Sequence, residues 1–373
     1  MRDCTAAKST FCEMKRMLRK YLIKFAIKNL SILLLVFGFL PAAMALGADT
    51  PNQKLAKGIG ISPKEIRGIW LSYEWWYNEK KWEQTAAVYR NMGFNTAYLT
   101  FYGSGRTFFP SDTDVNGVSE TPAQYEILQR AVSILRRNGL QVVAWLEGGL
   151  SLPADHPIAR QYPQYLQVCN PNVQGALRYL SSEHDGSTVF LDPNSHYART
   201  LLVDLASEIL QLPLNISEIH LDRLRYTKGA NGPCQSPAGT TSAESIDGLV
   251  QNVASRIRSL GALKISAAPV GSHGYWNFLQ SWHHWLTANW IDYIVIQNYI
   301  QPVNPEDCRV PDSQTLILFQ RELAGNLGRV EIFSGLSTIL FERFHFQDQD
   351  QQNRLNAAKS RSGLLEPIRK RMA

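Results

Sequence analysis

The chain has 373 residues, 45% of them hydrophobic, with 38 Lys and Arg set against 32 Asp and Glu. The net charge of +6 resides wholly in residues 1–45, which hold eight basic and two acidic side chains and leave residues 46–373 balanced at thirty of each. The basic character therefore excludes no more than it proves: it carries no signal for nucleic acid or an anionic partner.

Residues 1–45 read as a signal peptide. Lys15, Arg16, Arg19, Lys20, Lys24 and Lys28 precede an apolar run from Leu30 to Leu40, followed by Pro41 and the small-residue pattern Ala43-Met44-Ala45. That order predicts export and cleavage after Ala45, placing the protein in the periplasm or outside the cell. The alternative is an anchor formed by residues 30–47, which are just long enough to span a bilayer. Residues 46–64 form a flexible lead-in. Beyond them lies enough chain for one large α/β barrel, a fold that commonly takes about 250 residues.

Strands and helices then alternate. Ile66 to Tyr73 reads as a first strand, Glu79 to Met92 as a helix closed by Gly93, and Asn95 to Tyr102 as a second strand. A helix from Pro122 places Ile127, Leu128, Ala131 and Leu135 on one face and stops at Asn138-Gly139. Leu140 to Gly149 is the third strand and carries Glu147 at its end. Residues 150–193 show little periodicity and read as a substrate-covering loop. Asn194 or Ser195 caps the next helix, ending near Leu210.

Glu218-Ile219-His220-Leu221-Asp222-Arg223-Leu224-Arg225-Tyr226 begins as the fourth strand and runs into a loop rich in Gly and Pro. It delivers Asp222 to the C-terminal end of a strand, where parallel barrels place their chemistry. A helix over Ser242–Leu260 and a strand over Leu263–Gly271 follow. Next come an aromatic helix over Tyr275–Asn289, whose tryptophans read as packing, and a sixth strand over Ile291–Tyr299. Leu316–Leu327 reads as a helix and Val330–Ser337 as a seventh strand. Gln351 to Ala358 starts another helix, but Ser360 to Ala373 is a short basic tail with no eighth strand. The fold class is thus an α/β (β/α)8 TIM barrel over residues 65–359 that degenerates at its eighth strand.

Cys169, Cys234 and Cys308 remain after the leader, and one disulfide across the rim of the site is expected among them, the pair left open. No metal-binding spacing and no phosphate loop is visible, so no metal or cofactor is expected.

Six segments in this order resemble the glycosyl-hydrolase-like family 10, a group of exported TIM barrels. They are Arg67-Gly68-Ile69-Trp70-Leu71, Gly93 to Tyr98, Gly139 to Leu146, Leu191-Asp192-Pro193, Ile219 to Tyr226, and Asp292 to Tyr299. The resemblance implies hydrolysis of a polysaccharide, with peptide-free peptidoglycan strands as the leading substrate. The alternative is a non-catalytic glycan-binding protein or a decayed enzyme with an incomplete barrel. Neither reading calls for nucleic acid, and a membrane enters only through an uncleaved leader.

Glycosidic cleavage takes two carboxylates, one to protonate the leaving oxygen and one to act as nucleophile or base. Asp222 is expected to be the ionised partner, its pKa depressed by an inward cation. Strand alternation turns Arg223 away, leaving Arg225 or Arg67 for that task. Glu147 is the expected acid, with Trp145 and Leu146 raising its pKa, and Asp192 the reserve. Arg67, Trp70, Tyr98, Asp192, His220, Arg225, Tyr226, Gln297 and Tyr299 are expected to contact substrate.

Overall fold

In the computed structural model the described residues are 66–77, 80–113, 122–182, 187–229, 232–261, 264–270, 278–297 and 331–335. All of them belong to one compact unit, residues 66–301 with 313–373. The other unit, residues 1–65 with 302–312, lies outside the described residues, as do the expected leader, Tyr299, Cys308 and the 360–373 tail.

Seven parallel strands run through one sheet in sequence order, with the short antiparallel strand Arg106–Thr107 paired to the second of them. They are β1 (Gly68–Leu71), β2 (Thr96–Gly103), β3 (Gln141–Leu146), β4 (Glu218–Asp222), β5 (Lys264–Ala268), β6 (Tyr293–Gln297) and β7 (Glu331–Gly335). Between them run α1 (Trp82–Asn91), α2 (Pro122–Arg137), α3 (His196–Gln211), α4 (Ala243–Ser259) and α5 (Trp282–Thr287). Parallel neighbours require a crossover, and the right-handed βαβ crossover repeated in one direction builds a barrel wall. The expected position of an eighth strand falls outside the described residues. Among those residues, no helix is long and apolar enough to cross a membrane.

The sequence periods explain the two layers. Each helix buries one stripe: α3 buries Ala198, Leu201, Leu202, Leu205, Ala206 and Ile209, and α4 buries Ile246, Leu249, Val250, Val253, Ala254 and Ile257. Those stripes pack on the outward strand residues, among them Leu99, Leu146, Ile219, Leu221, Ile265 and Ile294. The Ser195 hydroxyl caps α3 by accepting from the Ala198 N–H at 3.1 Å.

The inward residues of the strands form a second cluster of Tyr98, Val143, Trp145, Tyr293 and Val295, with Ile66 and Trp70 against it. A buried polar chain threads it. Trp70 Nε1 donates to His220 Nε2 at 3.3 Å, and His220 Nδ1 meets Ser266 Oγ at 2.8 Å. Ser266 Oγ donates to Glu218 Oε1 at 3.0 Å, the Tyr293 hydroxyl also donates to Glu218, and Tyr293 and Tyr98 share a 3.0 Å hydroxyl contact. Since Nε2 accepts, His220 is the neutral Nδ1–H tautomer, and burial pushes its pKa down to about 3.

This arrangement places three residues expected to contact substrate inside the barrel's own polar chain. Trp70, Tyr98 and His220 are spent on packing and on hydrogen bonds inside the barrel. Arg67, expected to contact substrate too, lies elsewhere. It precedes β1, and its Nε donates to the Gly93 carbonyl at 2.5 Å, at the end where strands enter rather than leave. A strand carries its first residue away from the C-terminal face, so Arg67 serves stability there.

Within the 150–193 insertion, the described residues 150–182 and 187–193 carry more regular structure than their aperiodic sequence suggests. Ser151–Pro153 and Thr188–Phe190 pair as an antiparallel ribbon. Val168 bridges Gln235, and Cys169 is disulfide-bonded to Cys234. The insertion is thereby fastened to the loop that follows β4.

Candidate active site

β4 ends at Asp222, whose carboxylate is 4% exposed and receives hydrogen bonds on both oxygens. Oδ1 accepts from the Arg223 backbone N–H at 2.6 Å and from Gln297 Nε2 at 2.9 Å. Oδ2 accepts from Trp145 Nε1 at 3.2 Å and from Gln297 Nε2 at 3.1 Å. Three strands thus contribute: β3 through Trp145, β4 itself, and, across β5, β6 through Gln297.

Every one of these partners is a donor, which suits a carboxylate rather than a carboxylic acid. Burial works the other way and is the larger influence, so the Asp222 pKa lies above its ordinary value. The Arg223 and Arg225 charges and the donated hydrogen bonds lower it in part. The expectation of a depressed value is therefore corrected: desolvation at a fully buried strand end outweighs two cations.

The cation expected to face outward is the one nearest the chemistry. Arg223 has φ +49°, which ends the strand alternation one residue after Asp222. Its Nη1 lies 3.4 Å from Ser151 Oγ, and it lines a cavity of about 480 Å³ together with Glu147, Ser104, Ser151, Asp155 and Thr188. That volume falls in the range of small-molecule sites. Arg225 is 6% exposed, its guanidinium 5.7 Å and 5.2 Å from the ring centres of Phe190 and Phe278, so it is held by aromatic faces.

Glu147 follows β3 and accepts from Thr100 Oγ1 of β2 at 2.7 Å. Leu146 is in register with Leu221, so Glu147 and Asp222 occupy neighbouring positions one step beyond the last paired residues. The turn between them is close-packed. Gly149 has φ +50°, and a Cβ there would stand 1.9 Å from the Asp222 carbonyl oxygen. Only glycine lets the chain after Glu147 lie against the Asp222–Arg223 peptide.

Asp192 and Tyr226 are brought together, but in a different role from the one expected. Asp192 is fully buried and accepts from Ser236 Oγ at 2.6 Å and from the Asn194 N–H at 3.1 Å. Asn194 Nδ2 donates to the Tyr226 hydroxyl at 2.9 Å. This network anchors the start of α3 to the loop after β4. Gln297, also expected to contact substrate, donates its amide to Asp222. Sequence reasoning missed Arg223, Thr100 and Ser151, and it gave Trp145 only an apolar role. Among the described residues no cluster of metal-ligating side chains occurs.

Residues 65–238, which span β1 to β4 and the loop after it, match the model of the family described as glycosyl hydrolase-like 10. The matched stretch is a little under half of the chain. Similar solved structures include a cycloisomaltooligosaccharide glucanotransferase from Paenibacillus sp., at 10% identity and TM-score 0.51 over 73% of this chain and 38% of that one. A β-galactosidase from Halorubrum lacusprofundi follows at 10% identity and TM-score 0.45, covering 71% and 52%. An exo-β-N-acetylglucosaminidase from Vibrio harveyi gives 12% and 0.43, covering 74% and 50%. The chain spans from under two fifths to about half the length of these proteins, and the first of these likenesses is one of fold. No curated protein matches.

Proposed function

We propose that the protein is a glycoside hydrolase in which Glu147 protonates the leaving oxygen and Asp222 is the nucleophile or base. The observation that carries this is the pairing of two carboxylates in different surroundings on neighbouring strand ends. Asp222 is held by N–H donors alone, which orients it and favours its charged form against burial. Glu147 lines the open cavity, where a glycosidic oxygen can reach it.

The family resemblance supports a polysaccharide substrate, with peptide-free peptidoglycan strands as the first choice. Export through the basic and apolar leader agrees with the Cys169–Cys234 disulfide, since such bonds persist in oxidising compartments. A glycan-binding protein without turnover is the second reading, favoured by the near-complete burial of Asp222.

The deciding experiment is digestion of peptide-free glycan strands by residues 46–373, read by mass spectrometry, beside Asp222→Asn. Short saccharides from the wild type alone are expected. Equal product from Asp222→Asn removes Asp222 from the mechanism, and binding without product by a folded sample selects the second reading.

A further inference from the structure

Among the described residues, five non-glycine positions have positive φ, and two of them, Ser104 at +50° and Arg223 at +49°, line the same cavity. Left-handed backbone is costly for any residue with a Cβ, and such outliers gather where a site needs a side chain in a particular place. A turn alone would be better served by Gly or Asn. At Arg223 the turn instead carries a guanidinium to the cavity wall beside Ser151, through a 3.4 Å contact long enough for a ligand oxygen to replace.

The rest of the lining is rich in hydroxyl groups. Ser104, Ser151, Ser187 and Thr188 contribute them, and no aromatic side chain occurs among the described lining residues. A sugar here is held by polar contacts rather than by stacking. Among the described residues the lining holds one cation, Arg223, and two carboxylates, Glu147 and Asp155. Glu147 enters the reaction protonated if it is the acid. Asp155 is exposed, so water and salt screen its field. The guanidinium remains as the lasting charge on the inner wall, in the geometry that grips a carboxylate through two N–H groups.

We propose that Arg223 is the seat for a carboxylate carried on a sugar ring of the substrate, so that the cavity selects acidic glycans over neutral ones. The proposal rests on the glycan-binding reading of the cavity and adds a substrate feature that neither Glu147 nor Asp222 determines. Its competitor is a purely electrostatic role, in which the Arg223 charge acts on Asp222 alone.

The test compares peptide-free glycan strands bearing free carboxyl groups with the same strands after amidation. Binding is measured by calorimetric titration on the full chain carrying Asp222→Asn, with Arg223 intact, Arg223→Gln or Arg223→Lys, and wild-type turnover is scored separately. One charge-assisted hydrogen-bonded contact predicts tighter binding of the acidic strands by about ten- to hundredfold. That preference collapses toward unity in Arg223→Gln and is partly kept in Arg223→Lys. The comparison between polymers with Arg223 intact decides the matter even if a variant misfolds. Equal binding of both polymers, no binding of either, or an unchanged ratio in folded Arg223→Gln overturns the assignment. A clear preference without product formation upholds it and removes the hydrolytic reading instead.

Discussion

Gly149→Ala tests whether the two carboxylate-bearing strand ends are locked together by close packing. The new Cβ would lie 1.9 Å from the Asp222 carbonyl oxygen, whereas real contacts essentially never fall below 3.0 Å, so one peptide must move by more than 1 Å. Two costs combine. A left-handed residue with a Cβ costs about 1–2 kcal/mol, and overpacking against a fixed backbone adds about 1–3 kcal/mol, giving about 2–5 kcal/mol together. Gly175 supplies the control: it also has positive φ, +71°, but nothing lies within 4 Å of its added Cβ. Gly175→Ala, at φ +71° and ψ −159°, should show a backbone cost alone, about 1–3 kcal/mol. Urea unfolding of both variants, extrapolated to water, reads the difference. Activity supplies a second reading, since a shift of about 1 Å at the Asp222–Arg223 peptide is worth roughly a hundredfold in rate. If Gly149→Ala loses no more stability than Gly175→Ala and keeps its rate, the turn after β3 does not brace Asp222.

Three further outcomes follow from the same contacts. Gln297→Glu places a negative charge where an amide now donates to Asp222, raising a pKa that burial already holds high. With ionised Asp222 proposed as the active form, the acid limb of the kcat/KM profile should move to higher pH, and an unmoved limb would contradict the proposal. Replacing Cys169 and Cys234 by Ser opens a crosslink between residues 65 apart, which chain entropy values at about 4 kcal/mol. The same loss should appear in wild type unfolded under a strong reductant. His220 is held neutral, with a folded pKa of about 3 against 6.5 in the unfolded chain. Below pH 6.5 the unfolded state takes up a proton that the folded state refuses, so stability should fall from there until about pH 3, by a few kcal/mol. His220→Gln should flatten that slope in pH-dependent unfolding.

The strands and their order were legible because apolar alternation and helical stripes are local patterns. β4 begins at Glu218 and ends at Asp222 as its sequence suggests, and the Ser195 cap was one of two residues expected there. Direction along a strand was misjudged at Arg67, which the Arg-Gly-Ile-Trp-Leu segment makes conspicuous but which lies at the entry end of β1. Composition misled at Asp192 and Tyr226, since a buried carboxylate beside a tyrosine serves equally well to pin a loop, and only the positions of Asn194 and Ser236 reveal which it does.

The decisive error lay at Arg223, and its cause is not local. Alternation sends the residue after Asp222 to the outer face for as long as the backbone stays extended. The chain instead turns left-handed at Arg223 exactly where β4 stops pairing, and the peptide it forms lies against Gly149, 74 positions earlier. A side chain at either position could be judged only with the other in view. The charge that lowers the Asp222 pKa and the cavity wall beside Glu147 both depend on that contact. Gly149 could have been flagged as a glycine two positions after a candidate acid, but nothing in its neighbours says which peptide it admits.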